Sequence, residues 1–364
     1  MKKLNGLAAC FCLSLLAGGC TNKMAPAKTV GNGLERVMTL PRGPNNPRNS
    51  EGDFISLKDG RILFIYSHYT GESYMDDAPA FLAARYSDDK GQTWSKEDQV
   101  IVKQEGKMNV MSVSLLRLQN GEIALFYLKK DSKQDCTPLL RFSSDEGKTW
   151  TDPIPCITDR AGYFVVHNNR LIQLKDGRLL FATAFSKKVC SYYSDDNGRT
   201  WKSSSIMPNP DGVVTQEPAV VELKNGDIFM IMRTDTTTQY LSYSKDRGQS
   251  WSPARFSNII SARQSPASIT RIPSTGDLLL TWNDNNSDSF KLKAKRTPLN
   301  IAISKDEGKT WTEEKTVENN PRGSFCYTAI HFVDRDVLLA YFDWATTQIT
   351  ITKLSLDWLY NVHR

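Results

Sequence analysis

The sequence is poor in what several common chemistries require. It has only four histidines in 364 residues, and no Cys or His pair stands at the spacing of a zinc motif, so no resident metal is expected. No glycine-rich phosphate loop is present, which removes the usual signature of a nucleotide site. No cofactor is called for. Basic residues are scattered rather than clustered, and Lys2 and Lys3 supply two of the formal net charge of +6. Nucleic acid is therefore not an expected partner. No apolar run reaches the roughly 20 residues that a bilayer crossing needs. Cysteine is sparse too: of seven in all, Cys136, Cys156, Cys190 and Cys326 lie in the body of the chain. A chain of this length can bury a core without covalent staples, so these four are expected as small buried side chains.

What is present begins with an export pattern. Lys2 and Lys3 give a positive start, Leu7 to Leu16 an apolar core, and Ala17-Gly18-Gly19-Cys20 a small-residue cleavage region. Residues 1–20 are expected to be a signal peptide, and the placement of Cys20 resembles a bacterial lipobox, in which the sulfur carries lipid. Residues 21–34, rich in Lys, Ala, Gly and Asn, read as a flexible tether. The expectation is an exported protein, periplasmic or at the cell surface, touching membrane only through its anchor and acting as a monomer.

The remaining chain, 35–364, carries an internal repeat. Ser-x-Asp-x-Gly-x-(Thr/Ser)-Trp occurs five times, beginning at Ser87, Ser143, Ser194, Ser244 and Ser304, with starts 56, 51, 50 and 60 residues apart. Asp and Ser/Thr side chains at these offsets can bond the backbone of a tight turn, Gly supplies positive φ, and Trp can pack on a neighbouring sheet. Ahead of each copy stands a second turn signal, such as Asp59-Gly60, Asn120-Gly121 or Asp176-Gly177, followed by a strand such as Ile62-Leu63-Phe64-Ile65-Tyr66. That strand is too continuously apolar to have a wet face. Two hairpins per period give four-stranded antiparallel blades around an axis. His331 to Tyr341 repeats the rhythm without a box, and Gln348 to Leu354 can add a strand. The fold class is thus all-β, a six-bladed β-propeller with five Asp boxes, its ring closed by the segment near Glu35 to Leu40.

The boxes, with the residues that follow, make the chain similar to the sialidase superfamily over residues 35–360. That resemblance implies an exo-α-sialidase: a retaining glycoside hydrolase that removes terminal sialic acid through a tyrosyl intermediate. It also implies three arginines for the sugar carboxylate. Arg48 holds the first position, although the family's Arg-Ile-Pro reads Arg48-Asn49-Ser50 here, with Glu51 following. Arg233 holds the second, 16 residues after the Glu217-Pro218 step, and Arg296 the third. Tyr327 matches the nucleophile and Glu217 the base that takes its proton; a neutral phenol can approach a carbon bearing a carboxylate without the repulsion a carboxylate nucleophile would meet. The acid/base aspartate falls on Asp76 or Asp77, in the loop before the first box. Asn109 and Asn168, with Ser112, His167, Asn169 and Arg170, are polar residues at blade starts that could contact the sugar. Two other readings stay open: a same-fold exo-glycosidase acting on another acidic sugar, such as a ulosonic or uronic acid glycan, and a glycan-binding propeller without turnover.

Overall fold

The computed structural model describes residues 33–284 and 296–361. The expected signal, most of the expected tether and Cys20, the expected site of lipid, lie outside the described residues.

The chain opens with β1 (Leu34–Leu40) and then lays down antiparallel meanders. Blade one comprises β2 (Asn49–Ser56), β3 (Ile62–Tyr69), β4 (Ala80–Ser87) and β5 (Gln99–Val102). Blade two comprises β6 (Asn109–Arg117), β7 (Ile123–Ser132), β8 (Asp135–Ser143) and β9 (Ile154–Pro155). In blade three the innermost strand is broken into β10 (Phe164–Val165) and β11 (Ile172–Gln173), both paired to β12 (Leu179–Phe185), with β13 (Lys188–Ser194) and β14 (Lys202–Ser203) outside them. Blade four is β15 (Thr215–Glu222), β16 (Ile228–Thr234), β17 (Thr238–Ser244) and β18 (Arg255–Ile260). Blade five is β19 (Ser268–Arg271), β20 (Leu278–Trp282), β21 (Leu299–Ser304) and β22 (Thr312–Glu318). Blade six runs β23 (Phe325–Val333), β24 (Asp336–Asp343), β25 (Gln348–Ser355), and its outer place is taken by β1, antiparallel to β25. First and last strands thus share one sheet, closing the six-bladed ring.

The second strand of each blade is buried on both faces, as its unbroken apolar run predicts. In β3, Leu63 and Ile65 pack toward blade two while Ile62, Phe64 and Tyr66 pack toward blade six. One hydrophobic cluster fills each of the six blade-to-blade seams. The box turns plug these seams. In the third, Ser194 Oγ accepts from Gly198 N (2.8 Å) and donates to Asp196 (2.7 Å), whose carboxylate takes Thr200 N and Thr200 Oγ1. Gly198 has φ +86°, and a Cβ there would come within 2.5 Å of Leu140 in the preceding blade, so both conformation and contact demand glycine. Trp201 lies against that same seam, and Trp94, Trp150, Trp251 and Trp311 occupy the equivalent places.

The break in blade three closes the axial channel. Asn168 Nδ2 donates to Gly52 O in blade one (2.8 Å) and to Tyr327 O in blade six (3.0 Å). Asn169 Nδ2 donates to Asp53 (2.9 Å), which also takes the N–H groups of Phe54 and Leu115. Arg170 reaches Ala267 O and Ser268 Oγ in blade five. With Arg170 N also donating to Ser114 Oγ in blade two (2.8 Å), a segment freed from its own ladder binds four other blades, and a polar floor forms where apolar side chains would leave backbone groups unpaired. All four described cysteines are free and buried.

Candidate active site

Four innermost strands carry the same irregularity. Between Ser50 and Asp53, Met111 and Ser114, Gln216 and Ala219, and Cys326 and Ala329, three steps on the inner strand oppose two on its partner. Each is a β-bulge with one extra residue. The residue at the bulge is in each case a non-glycine with left-handed backbone: Glu51 (φ 54°), Ser112 (60°), Glu217 (50°) and Tyr327 (58°). Asn169 (57°) in the break of blade three and Gln264 (54°) ahead of β19 share that conformation. Each such residue costs on the order of 1–3 kcal/mol, strain that surrounding structure must hold in place. The gain is aim, because the extra residue turns a side chain out of the blade-to-blade packing and toward the axis. Glu51, Ser112, Glu217, Gln264 and Tyr327 all line one cavity of about 370 Å³ at the propeller centre.

One wall of the cavity carries the charge. The Glu217 carboxylate lies 2.7 Å from Nε2 of His167 and is paired with the guanidinium of Arg233. Burial alone would raise this carboxyl, but His167, Arg233 and Arg296 outweigh it and hold it down at about 2. Arg233 stands opposite Gln216 in the hairpin register, beside the bulge, which explains the 16-residue spacing to Glu217. It also donates to Gln216 Oε1 (2.7 Å). Arg296 donates to Gln264 O (2.8 Å), the carbonyl that Arg233 also reaches, and its guanidinium sits over the Tyr327 ring, 5.3 Å from the centroid. His167 stacks on the other partner of this group, with its ring 4.2 Å from that of Tyr327 and 24° off parallel. Burial lowers the His167 imidazole below its ordinary value, against the pull of the Glu217 charge in the other direction. The Tyr327 phenol is pushed well up, first by burial and then by the charge of Glu217. It holds its proton until a base takes it.

The aspartate loop meets this wall from blade one. Asp76 lines the cavity; its backbone oxygen accepts from Asn109 Nδ2 and Lys130 Nζ (2.9 Å each). Asp77 does not line it, being turned into an adjoining depression and paired with Lys133 at 3.2 Å. Asn109 is fully buried and also donates to Ala78 O (2.8 Å). Its task is to pin the loop, and Asn168 likewise serves the floor; both stand behind the cavity wall.

Arg48 is the departure. It is 0% exposed and lies outside the cavity lining, its guanidinium enclosed by the rings of Tyr69 (4.5 Å), Phe342 (4.8 Å) and Trp344 (4.5 Å). Nη1 donates to Asp76 at 2.5 Å and Nε to Ser50 Oγ at 2.9 Å. Nη2 faces Glu51 Oε2 at 3.7 Å, too far for a hydrogen bond. Two of the three expected arginines therefore open on the cavity, and the third is masked by rings.

A family model described as a BNR repeat-like domain matches residues 75–338. The chain belongs to the BNR-repeat sialidase superfamily. Among curated members, a sialidase of Bacteroides fragilis is 26% identical over 234 residues, covering 60% of this chain and 41% of that protein. A sialidase of Paraclostridium sordellii is 28% identical over 231 residues, covering 54% and 55%. The chain thus spans about half the length of the curated superfamily members it matches. Among solved structures, a leech intramolecular trans-sialidase superposes with a TM-score of 0.73 over 94% of this chain and 72% of that one, at 14% identity. That likeness is one of fold.

Against this superfamily pattern, sequence reasoning underrated His167 and treated Glu51 only as a disturbance of the arginine motif. Trp344 and Tyr163, which line the cavity mouth, gave no signal at all. No pattern announced Glu51 either, since Arg48 to Asp53 is polar or glycine throughout and reads as a loop.

Proposed function

We propose that the chain is an exo-α-sialidase, a retaining glycoside hydrolase working through a Tyr327 adduct. The observation that carries this reading is the grouping of Tyr327 and Glu217 beside two guanidinium groups that open on one buried cavity. Arg233 and Arg296 offer planar, fixed donors that suit a carboxylate better than lysine would. With the sugar carboxylate held there, the Tyr327 oxygen attacks the anomeric carbon as its proton passes to Glu217, and the glycosidic C–O bond breaks while Asp76 protonates the leaving oxygen. In the second half Asp76 takes a proton from water, the hydroxide adds to the anomeric carbon, and the departing Tyr327 oxygen recovers its proton from Glu217. Two displacements at one carbon return the original configuration. Export with lipid attachment at Cys20, and action as a monomer on sialylated glycans, complete the proposal.

A second reading, an exo-glycosidase for another acidic sugar, is favoured by the masked guanidinium of Arg48 and by Glu51 in the cavity wall. The deciding test is release of fluorophore from α-linked sialic acid by the chain from Thr21 onward, together with intact-mass analysis after exposure to a fluorinated sialic acid that traps the adduct. Turnover with one added sugar on Tyr327 is expected. A folded protein that instead cleaves a deaminated ulosonic or uronic acid glycoside supports the second reading, and one that binds glycans without turnover leaves a binding propeller.

A further inference from the structure

Glu51 sits in the cavity wall with both oxygens poorly served. It is 3% exposed. Its Oε2 has no hydrogen-bond partner, and Nη2 of Arg48, 3.7 Å away, has none either. Its Oε1 is 4.0 Å from Nδ1 of His167, again beyond hydrogen-bond range. Buried polar atoms left open in a cavity wall point to a ligand that completes them. The bulge that aims this side chain is built for it: Gly52 must be glycine because a Cβ there would lie 2.3 Å from the Phe64 ring and 2.8 Å from Ile65 O, so the backbone folds tightly behind Glu51 and pushes it forward.

The surroundings decide the form of this carboxyl. Burial raises it most, Arg48 and Lys130 oppose, and the charges of Asp76 and Glu217 add to the rise, leaving it at about 7. Burial also lowers the His167 imidazole beside it below its ordinary value. The phenols of Tyr69, Tyr163 and Tyr327 all titrate far above this range and stay protonated throughout. Near neutral pH, Glu51 is thus a group in the wall whose charge changes. An anion entering the cavity is repelled by an ionised Glu51 and welcomed by a protonated one, which is a donor.

We propose that Glu51 is a specificity-determining residue of this site: its carboxyl donates a hydrogen bond to the anionic group of the bound sugar, where the ring-masked Arg48 does not reach. The inference rests on the acidic-sugar reading above and adds to it that binding takes up a proton. Above pH 7 each unit of pH weakens binding of an acidic sugar by up to about tenfold, because one proton must be supplied with the ligand.

Calorimetric titration of the full exported chain at pH 8 with free sialic acid, a deaminated ulosonic acid and glucuronic acid, in buffers of differing ionisation enthalpy, counts that proton directly. The expected result is uptake of close to one proton by the wild type and close to none by Glu51→Gln, which keeps a donor of the same shape but cannot titrate. Its affinity is then level from pH 6 to 8.5. Binding without uptake by the wild type, or uptake that survives in Glu51→Gln and so belongs to another group such as His167 or Asp53 in the floor beneath, overturns the role of Glu51 and leaves the sialidase reading intact. Failure of all three acids to bind removes both. The wild-type count stands whether or not the variant folds.

Discussion

The outer turns and the inner bulges of this propeller are two repeated backbone devices with opposite sequence behaviour. Five box turns use the same serine and aspartate, with a threonine or serine hydroxyl, for the same hydrogen bonds, and the box serine takes the glycine N–H at 2.7–2.8 Å in every copy. Four inner bulges use one register and one left-handed residue, yet that residue is Glu, Ser, Glu or Tyr. Where each repeat has the same job, filling a seam, the residues repeat. Where the device only aims a side chain at a shared axis, the residue is free to differ, and the chemistry comes from the differences.

If that contrast is right, changes at the bulges should remove activity without loosening the fold, and changes at the boxes should do the reverse. The largest effect is expected for Tyr327→Phe: kcat/KM on a sialoside reporter should fall by about 10³-fold or more with the thermal midpoint unchanged, and a drop of less than tenfold would end the nucleophile assignment. Arg233→Lys keeps the charge but loses the fork that serves Glu217, Gln216 and the substrate together. A rise in KM equivalent to about 1.5–3 kcal/mol is expected, read from initial rates, with kcat falling less. Ser194→Ala should act on the other side of the comparison, lowering stability by about 1–2 kcal/mol in denaturant melts because Gly198 N is left buried and unpaired, while kcat/KM stays within twofold. An activity loss there as large as the stability loss would mean the two devices are not separate.

The smallest effect concerns Asp53, in the floor beneath the bulges. Burial lifts its carboxyl to about 7 despite the hydrogen bonds it receives, well above the ordinary value near 3.9 of an unfolded chain. A carboxyl raised on folding gives stability that is complete below the unfolded value and is lost as pH climbs through the folded one. Thermal midpoints should therefore decline from about pH 4 to pH 7, and Asp53→Asn should flatten part of that slope. The remainder belongs to Glu51, raised in the same direction, so a slope unchanged in both single variants would show that neither acid titrates as described.

The same comparison explains what was legible. Boxes, turn pairs and doubly buried strands are local patterns, and each states its own physical purpose within eight residues or so. Arg233 and Glu217 were legible because a hairpin register fixes their separation. Which of Asp76 and Asp77 enters the cavity was not, because that depends on Asn109 and Lys130, which hold Asp76 O from another blade. Asn109 and Asn168 were read as sugar contacts because a polar residue at a blade start looks alike whether it faces the cavity or the floor. His167 was weighed as an ordinary histidine, since the break in blade three that delivers it to Glu217 has no repeat to announce it.

By itself, the sequence determined the number of blades, the closure by the first strand and the order of the acidic, basic and phenolic residues around the ring, because hydrogen-bonded turns and unbroken apolar runs are set by neighbours along the chain. Only the tertiary structure decided that Arg48 lies sealed among three rings while Glu51 faces the cavity, and that His167 touches both Tyr327 and Glu217. Those outcomes depend on side chains from different blades meeting at one axis, where burial and charge at a few ångströms, rather than position in the chain, settle what each group can do.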